Sequence, residues 1–225
     1  MRFYRNWAEA DNEIRRDLKE LGIKVHPQTM QDKWVADDPD YETFEIDDYT
    51  YRVLDPNPMT GLKPNQPWAD TEFEERVSGL PLNPGEAWAQ RAEVWAEYLH
   101  YGVFAYTYAE RMAFQLKALI EELKKHKESR QLYLAIWNPR EDMGQLGGQS
   151  RVPCSLGYHF RFRQGQLSLT YLQRSCDFVT HFQNDVYLAS RLLYYVASEA
   201  GVPVGYLSHW VGSLHVYAQD VAGVF

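Results

Sequence analysis

The chain has 225 residues, of which 45% are apolar and 15% aromatic, and its formal net charge is −8. This length and composition predict one well-filled core in a single domain spanning residues 1–225, and they exclude a disordered chain. The acidic balance argues against a nucleic-acid partner, which would need a basic face. No apolar run approaches the roughly 18 residues that a membrane span needs, so we expect no membrane partner.

The N-terminal residues and the cysteines indicate a reducing compartment. Residues 1–11 are polar and mixed in charge, unlike a secretory signal. The chain has two cysteines and no pattern of a disulfide framework. We therefore expect a cytoplasmic protein whose thiols stay reduced.

Hydrophobic periodicity and breaker residues predict a mixture of helices and strands. Helices are predicted over 9–21, 86–99, 106–126 and 185–200, and strands over 44–54 (as a pair), 131–137, 154–163, 166–173 and 206–217. Gly22 and Gly201 suit helix ends, and Gln164-Gly165 suits a hairpin turn. The predicted fold class is α+β, with helices packed on a twisted sheet.

The motifs with the clearest chemical character lie in the second half of the chain. They are Pro153-Cys154, Gln173-Arg174-Ser175-Cys176-Asp177, Asn184-Asp185 and His215-Val216-Tyr217. A lone cysteine is more often a small packing residue than a nucleophile. A nucleophilic cysteine needs positive charge nearby, and Arg174 could reach Cys154 across a hairpin. His215 and Tyr217 have the strand spacing that places both side chains on one face.

These motifs, in this order and spacing, resemble the thymidylate synthase superfamily. The resemblance implies a thymidylate synthase-like fold and a pyrimidine deoxynucleoside monophosphate as substrate, with 5,10-methylenetetrahydrofolate donating a one-carbon unit to carbon 5 of the base. Carried over residue by residue, it implies Cys154 as the nucleophile, Arg174 and Ser175 as phosphate ligands, His215 and Tyr217 as ligands of the sugar 3′-hydroxyl, and Asp177, Trp95 and Tyr101 on the folate side, with Tyr101 near the nucleophile.

Ordinary structural roles stay open for several of these residues. A carboxylate such as Asp177 is about as often a turn cap, and Trp88 and Trp95 could be core residues. His215 lies between apolar neighbours, as satisfied core histidines do. We interpret Cys176 as a packing residue.

The resemblance also implies a homodimer. Ser129-Arg130 before a predicted strand resembles the family motif whose arginines reach the phosphate site of the partner subunit, although Gln131 stands where the motif has a second arginine. Arg130 would thus complete the partner's phosphate site. The arginine of the family's N-terminal phosphate loop is not recognisable, and Lys33 is the candidate in its place.

Asp185 carries the prediction of the substrate base. The thymidylate synthases have asparagine there, whose amide complements the ring N–H and carbonyl of uracil. A carboxyl group instead complements the ring nitrogen and exocyclic amine of cytosine. A slip of one residue would place Asn184 at this position; the unchanged spacing to His215 favours Asp185. This substitution resembles the deoxycytidylate hydroxymethylases of phages, which implies dCMP as substrate and, for a phage-encoded enzyme, the host cytoplasm.

A general acid/base is implied as well, and Glu72 is the candidate because it precedes Gly79 at the family's distance. Glu74 and Glu75 are alternatives. We expect a dCMP hydroxymethyltransferase in which Cys154, Glu72 and Asp185 are catalytic, with no metal. Two other functions stay open: a dCMP or dUMP methyltransferase, and a nucleotide-binding homologue without catalysis. The sequence does not decide between a methyl and a hydroxymethyl product, or between a deoxyribose and a ribose.

Overall fold

The computed structural model describes residues 1–30, 33–145 and 151–225. Its strands are β1 (Arg2–Tyr4), β2 (Ile23–Val25), β3 (Thr29–Met30), β4 (Lys33–Trp34), β5 (Thr43–Val53), β6 (Tyr133–Ala135), β7 (Ser155–Arg163), β8 (Gln166–Asp177) and β9 (Val204–Tyr217). Its α-helices are α1 (Trp7–Leu21), α2 (Trp68–Val77), α3 (Ala92–Trp95), α4 (Tyr108–Met112), α5 (Gln115–Lys125), α6 (Pro139–Asp142) and α7 (Phe182–Ala200).

A mixed sheet of seven strands forms the centre of the fold. Its order is β1-β5-β9-β8-β7-β6, and β2 pairs with β5. Strands β8 and β9 are parallel, as are β1 and β5, whereas β7 and β8 form an antiparallel hairpin. The helices pack on this sheet around one hydrophobic cluster. The predicted α+β class is confirmed.

The hairpin and the long helix follow the sequence closely. Gln164 and Gly165 both have positive φ, 53° and 78°, which is the geometry of the tight hairpin turn that this pair predicts. Helix α7 ends at Gly201, whose φ of 65° is the left-handed conformation that glycine adopts at little cost. These local signals therefore set the ends of the elements that carry most of the predicted site.

Three predicted elements are wrong in detail. The expected strand pair at 44–54 is the single strand β5. The helix expected at 86–99 is interrupted at Arg91, whose backbone leaves the helical region (φ −139°, ψ 46°) and whose guanidinium packs 5.0 Å from the Trp68 ring. The helix expected at 106–126 divides into α4 and α5, because Gln115 donates from its side chain to the carbonyls of Arg111 and Ala135. Tertiary contacts override helix periodicity at both breaks.

The sheet has one face toward the helices and one face that is partly open. Tyr51, His209 and Tyr171 occupy neighbouring positions on β5, β9 and β8 and are almost fully buried. Thr50, Trp210 and Leu172 are the next residues across the same strands, and all of them are partly exposed. Among the described helices, none is long and apolar enough to cross a membrane.

Candidate active site

The loop before β7 places Cys154 beside Arg174 on β8. The backbone N–H of Arg174 donates to the Cys154 carbonyl at 2.8 Å. Its side chain donates from Nε to the Pro153 carbonyl at 2.9 Å and from Nη2 to the Val152 carbonyl at 3.2 Å, and Nη2 lies 3.9 Å from the Cys154 sulfur. The arginine thus holds the cysteine loop against the hairpin and brings a positive charge to the thiol.

The Cys154 thiol is half-buried, and opposing effects act on its protonation. Burial raises its pKa, and the nearby Asp185 carboxylate raises it further, whereas Arg174 and Arg151 lower it. A thiolate in this site therefore depends on the two guanidinium groups. Arg151 lies just before the cysteine motif, and the sequence analysis assigned it no role. A lone arginine in a loop carries no signal that would have found it.

Asp185, in the first turn of α7, faces the same site. Its Oδ2 accepts a hydrogen bond from Gln173 Nε2 at 2.7 Å. Burial raises the pKa of Asp185, while His181, the Gln173 hydrogen bond and Arg76 lower it. Because burial has the largest effect, this carboxyl group holds a proton more readily than an exposed aspartate. It can therefore both donate and accept hydrogen bonds at its two oxygens.

Asn184, the alternative to Asp185, has a different task in the structure. Its side chain is 2% exposed. Its Oδ1 accepts from the backbone N–H of Asn65 at 2.7 Å, and its Nδ2 donates to the Thr180 carbonyl at 3.3 Å. Asn184 therefore fastens the loop before α2 to the start of α7. The structure brings Asp185, and not Asn184, to the Gln173 side of the site.

The three candidate glutamates on α2 make different contacts. Glu72 is half-buried, and its Oε1 accepts from Arg76 Nε at 2.7 Å. Glu74 is exposed and pairs with Arg191 at 3.2 Å. Glu75 accepts the backbone N–H groups of residues 86 and 87 and so fixes the loop after α2. Of the three, Glu72 has the contacts that lead toward the site.

Arg76 connects Glu72 with the rest of the site. It is 8% exposed, and its guanidinium lies 3.8 Å from the centre of the Tyr108 ring. Its charge lowers the pKa of Asp185. Arg76 was not predicted from the sequence, because a glutamate and an arginine four residues apart on a helix usually form a solvated ion pair. The Glu72–Arg76 ion pair is largely buried only because α2 packs against the rest of the fold.

Strands β8 and β9 bring the predicted sugar and phosphate ligands together. Parallel pairing sets Ser175 beside Ser213 and Asp177 beside His215. The rings of His215 and Tyr217 share one face, with centroids 5.4 Å apart. Burial lowers the pKa of His215 against the opposing effect of Asp177, and burial raises the pKa of Tyr217 to about 12. The imidazole is therefore neutral and the phenol protonated, as hydrogen-bonding ligands of a hydroxyl require.

Asp177 has the contacts of a turn cap. Its Oδ1 accepts from the backbone N–H groups of Val179 and Thr180 at 2.9 and 3.1 Å. The structural role that the sequence left open is therefore present. The same carboxylate also acts on the pKa values of His215 and Cys154, so it lies within electrostatic reach of the site.

Trp95 lies in an aromatic cluster, whereas the Tyr101 side chain is exposed. Trp95 stacks on Trp68 with centroids 6.3 Å apart, and the Arg151 guanidinium lies 4.4 Å from the centre of the Trp95 ring. The Nε1 atom of Trp95 is buried and has no hydrogen-bond partner among the described residues. The Tyr101 side chain is fully exposed, at a position with a φ of 53°.

Tyr106 and Tyr108 lie within electrostatic reach of the predicted nucleophile. The Tyr108 hydroxyl lies 3.0 Å from Ser155 Oγ, next to Cys154 in the chain. Burial raises the pKa of Tyr106 to about 12, with a smaller contribution from Cys154. Several tyrosines follow one another within a few residues here, and spacing along the sequence did not separate the exposed one from the buried ones.

Arg130 lies in a surface position on the loop before β6. Its carbonyl is 3.2 Å from His159 Nε2. The side chain of Lys33 lies outside the residues that the structure describes. Within that described part, no group of three or more His, Cys, Asp or Glu residues is arranged to hold a metal ion.

Comparison with known proteins places most of these residues in one matched region. A family model described as thymidylate synthase matches residues 67–224. A thymidylate synthase of Mycoplasma genitalium is 33% identical over 107 residues, which is 48% of this chain and 36% of that protein. A putative thymidylate synthase of Methanocaldococcus jannaschii is 32% identical over 122 residues, which is 53% of this chain and 54% of that protein. The matches thus span less than two thirds of either relative.

Proposed function

Because the chain belongs to the thymidylate synthase family, we propose that it transfers a one-carbon unit to carbon 5 of dCMP and gives 5-hydroxymethyl-dCMP. The observation that carries the choice of base is the half-buried Asp185 carboxyl group, held by Gln173 beside the Cys154 loop. Its raised pKa suits a carboxyl group that shares a proton with a ring nitrogen. A site whose polar groups match one base leaves them unpaired with the other, and this discriminates strongly.

Cys154 begins the reaction. Its sulfur adds to carbon 6 of the base, which makes carbon 5 nucleophilic, and Arg174 with its Nη2 3.9 Å from the sulfur favours the thiolate. Asp185 holds the cytosine edge throughout. Glu72, paired with Arg76, takes the proton that leaves carbon 5 through water. Once carbon 5 has taken up the one-carbon unit and the rest of the donor has left, an exocyclic methylene remains on the base. Water then adds to this methylene as the sulfur leaves carbon 6.

The one-carbon donor fits the aromatic cluster around Trp95. The partly exposed Trp95 indole, stacked on the buried Trp68, offers a flat apolar surface, and its Nε1, which has no partner among the described residues, offers a donor. When bound, 5,10-methylenetetrahydrofolate supplies the one-carbon unit to carbon 5 and departs as tetrahydrofolate. We assign Trp95 and Asp177 to this side of the site. We assign to Tyr106 the place near the nucleophile that the resemblance implies for Tyr101, because the Tyr101 side chain is exposed and Cys154 acts on the pKa of Tyr106.

The nucleotide's phosphate and sugar are assigned to the strand ends. Arg174 and Ser175 contact the phosphate, and His215 and Tyr217 contact the 3′-hydroxyl. We propose a homodimer formed through the open face of the sheet, where Trp210 and Leu172 are partly exposed side by side. We propose that Arg130 reaches the phosphate of the partner subunit, in keeping with its exposure.

The test is incubation with 5,10-methylenetetrahydrofolate and either dCMP or dUMP, each tritiated at carbon 5, with measurement of tritium release and product mass. We expect release from dCMP and a hydroxymethyl product. A methyl product from dCMP would make the protein a dCMP methyltransferase, and release from dUMP alone would make it a thymidylate synthase. No release from either nucleotide, without nucleotide-dependent folate binding in a titration, would indicate a homologue without catalysis.

A further inference from the structure

A chain of hydrogen bonds runs from Asp185 into the core. Gln173 Nε2 donates to Asp185 Oδ2 at 2.7 Å, Gln173 Oε1 lies 3.0 Å from His209 Nε2, and His209 Nδ1 lies 2.8 Å from the Tyr51 hydroxyl. Tyr51 and His209 are fully buried, and Gln173 is 1% exposed. The polar groups of these three side chains must therefore find their hydrogen-bond partners within the chain of hydrogen bonds, because water does not reach them.

The inner end of the chain sets its direction. Burial lowers the pKa of His209 to about 3, so the imidazole is neutral and has one N–H and one acceptor nitrogen. The Tyr51 hydroxyl has His209 as its hydrogen-bond partner in the described part of the chain, so the phenol donates to Nδ1. The imidazole proton is then on Nε2 and points at Gln173. The Gln173 amide must turn its oxygen to His209 and its NH₂ to Asp185.

We propose that Tyr51 and His209 are positioning residues for base selection: they fix the Gln173 amide so that Asp185 Oδ2 can only accept a hydrogen bond. This inference rests on the proposed role of Asp185 in reading the base. Neither residue touches the nucleotide; both act through Gln173. The sequence pattern gives no hint of this role, because a histidine and a tyrosine on apolar strands look like core residues.

The fixed direction matters because a protonated carboxyl group is ambiguous. With the proton on Oδ1, it donates to the ring nitrogen of cytosine and accepts from the exocyclic amine. With the proton on Oδ2, it accepts from the ring N–H of uracil and donates to the carbonyl. The Gln173 N–H disfavours a proton on Oδ2, since that oxygen already accepts. For a base whose exocyclic group lies against Oδ2, this chain of hydrogen bonds therefore selects cytosine.

The inference is tested by calorimetric titration with dCMP and with dUMP. The measured quantity is the selectivity ratio, the Kd for dUMP divided by the Kd for dCMP. His209→Phe keeps a ring to stack on Tyr171, whose ring centroid is 4.6 Å from that of His209, but removes both hydrogen bonds. We expect its selectivity ratio to fall by about tenfold or more, because Gln173 is then free to turn. His209→Gln should keep most of the wild-type ratio, since its amide can accept from Tyr51 and donate to Gln173.

Tyr51 and Tyr49 provide a matched pair. Both are buried tyrosines on the same face of β5, but the Tyr49 hydroxyl bonds to Asp17 and Tyr4 and has no part in the chain to Asp185. We expect Tyr51→Phe to lower the selectivity ratio and Tyr49→Phe to leave it unchanged. A loss of stability alone would affect both variants and would weaken both nucleotides equally.

The outcomes separate this inference from the proposed function. A wild-type ratio above one with an unchanged ratio in folded His209→Phe and Tyr51→Phe would overturn the inference and leave the function standing. A wild-type preference for dUMP would overturn the proposed function, and a changed ratio in these variants would still support the positioning role. Equal changes of the selectivity ratio in Tyr49→Phe and Tyr51→Phe would overturn the inference. So would a wild-type protein that binds neither nucleotide.

Discussion

The site is built from two regions with different construction. Residues 152–217 contribute Cys154, Arg174, Asp185 and His215 from adjoining strands and the helix that follows them, whereas residues 68–108 contribute Glu72 and Trp95 from short helices and loops. In the first region, strand pairing sets which residues are neighbours, as with Asp177 beside His215. In the second, neighbours are set by packing between helices. The first region can therefore be located from spacing along the chain, and the second cannot.

The largest expected effect concerns the nucleophile in the strand region. Cys154→Ser should lower kcat by about 10⁴-fold or more, because a serine hydroxyl is far harder to ionise than a thiol. Nucleotide binding should persist, and calorimetric titration with dCMP measures it. Cys176→Ser is the matched control, since Cys176 is buried in the hydrophobic cluster and should affect stability more than turnover. Substantial activity in Cys154→Ser would contradict the assignment.

The next effect concerns the base. Asp185→Asn should change the selectivity ratio by about 10²–10⁴-fold in favour of dUMP, because an amide matches the uracil edge. Titration with both nucleotides measures it. Asn184→Asp is the control at the neighbouring position: it should lower the melting temperature, because it loses the hydrogen bonds that Nδ2 donates to the Thr180 carbonyl and Asn65 Oδ1, without reversing the preference. A reversal by Asn184→Asp would mean that the base-reading position lies one residue earlier.

A similar but smaller effect tests the helical region. Glu72→Gln should lower kcat by about 10²–10³-fold with little change in the Kd of dCMP, as expected for a residue that transfers protons and does not hold the substrate. Steady-state kinetics and titration separate the two quantities. Glu74→Gln is the control, because Glu74 is an exposed partner of Arg191. If kcat fell in Glu74→Gln and not in Glu72→Gln, the general acid/base would be Glu74, on a different face of α2.

The partner subunit's contribution is expected to be smaller still. Arg130→Ala should raise the Kd of dCMP by about tenfold through the loss of one phosphate contact. In the proposed dimer, each chain supplies Arg130 to the site of its partner. Mixing inactive Cys154→Ser with Arg130→Ala should therefore produce mixed dimers that contain one intact site. Association of the two variants in equal amounts would then give about a quarter of the wild-type sites. Kinetics no better than the sum of the separate variants would argue against the exchange.

The smallest effect is one of stability. Burial raises the pKa of Asp185, so the folded chain binds this proton more tightly than the unfolded chain does. The group therefore costs stability as the pH rises from the ordinary aspartate pKa through the raised one. Asp185→Asn removes this cost and should raise the melting temperature by about 2–4 °C at about pH 7, with the difference shrinking below about pH 4. A scanning calorimeter measures it, and a pH-independent difference would contradict it.

The sequence predicted the α+β fold and the neighbours that strand pairing creates. The distance between Pro153-Cys154 and Arg174 is that of a hairpin, so their approach follows from the turn at Gln164-Gly165. Glu72 was chosen only through the family resemblance, by its distance to Gly79, and its role stays a prediction. Arg76 and Arg151 did not follow, because their burial depends on side chains that come from other segments. The half-buried Tyr106 was not predicted, and the predicted Tyr101 is exposed, since loop conformation and not spacing decides which tyrosine side chain is buried.

The hydrogen bond between Asn184 and Asn65 joins the two regions that otherwise differ so much. Asn184 immediately precedes the base-reading Asp185, and Asn65 lies in the loop that leads directly into the helix of Glu72. A second bond, from the Lys63 N–H to the Gln183 side chain, reinforces the junction. The carboxyl group proposed to recognise the base and the one proposed to transfer its protons thus share a common anchor. We therefore expect a change in loop length before α2 to affect selectivity and proton transfer together.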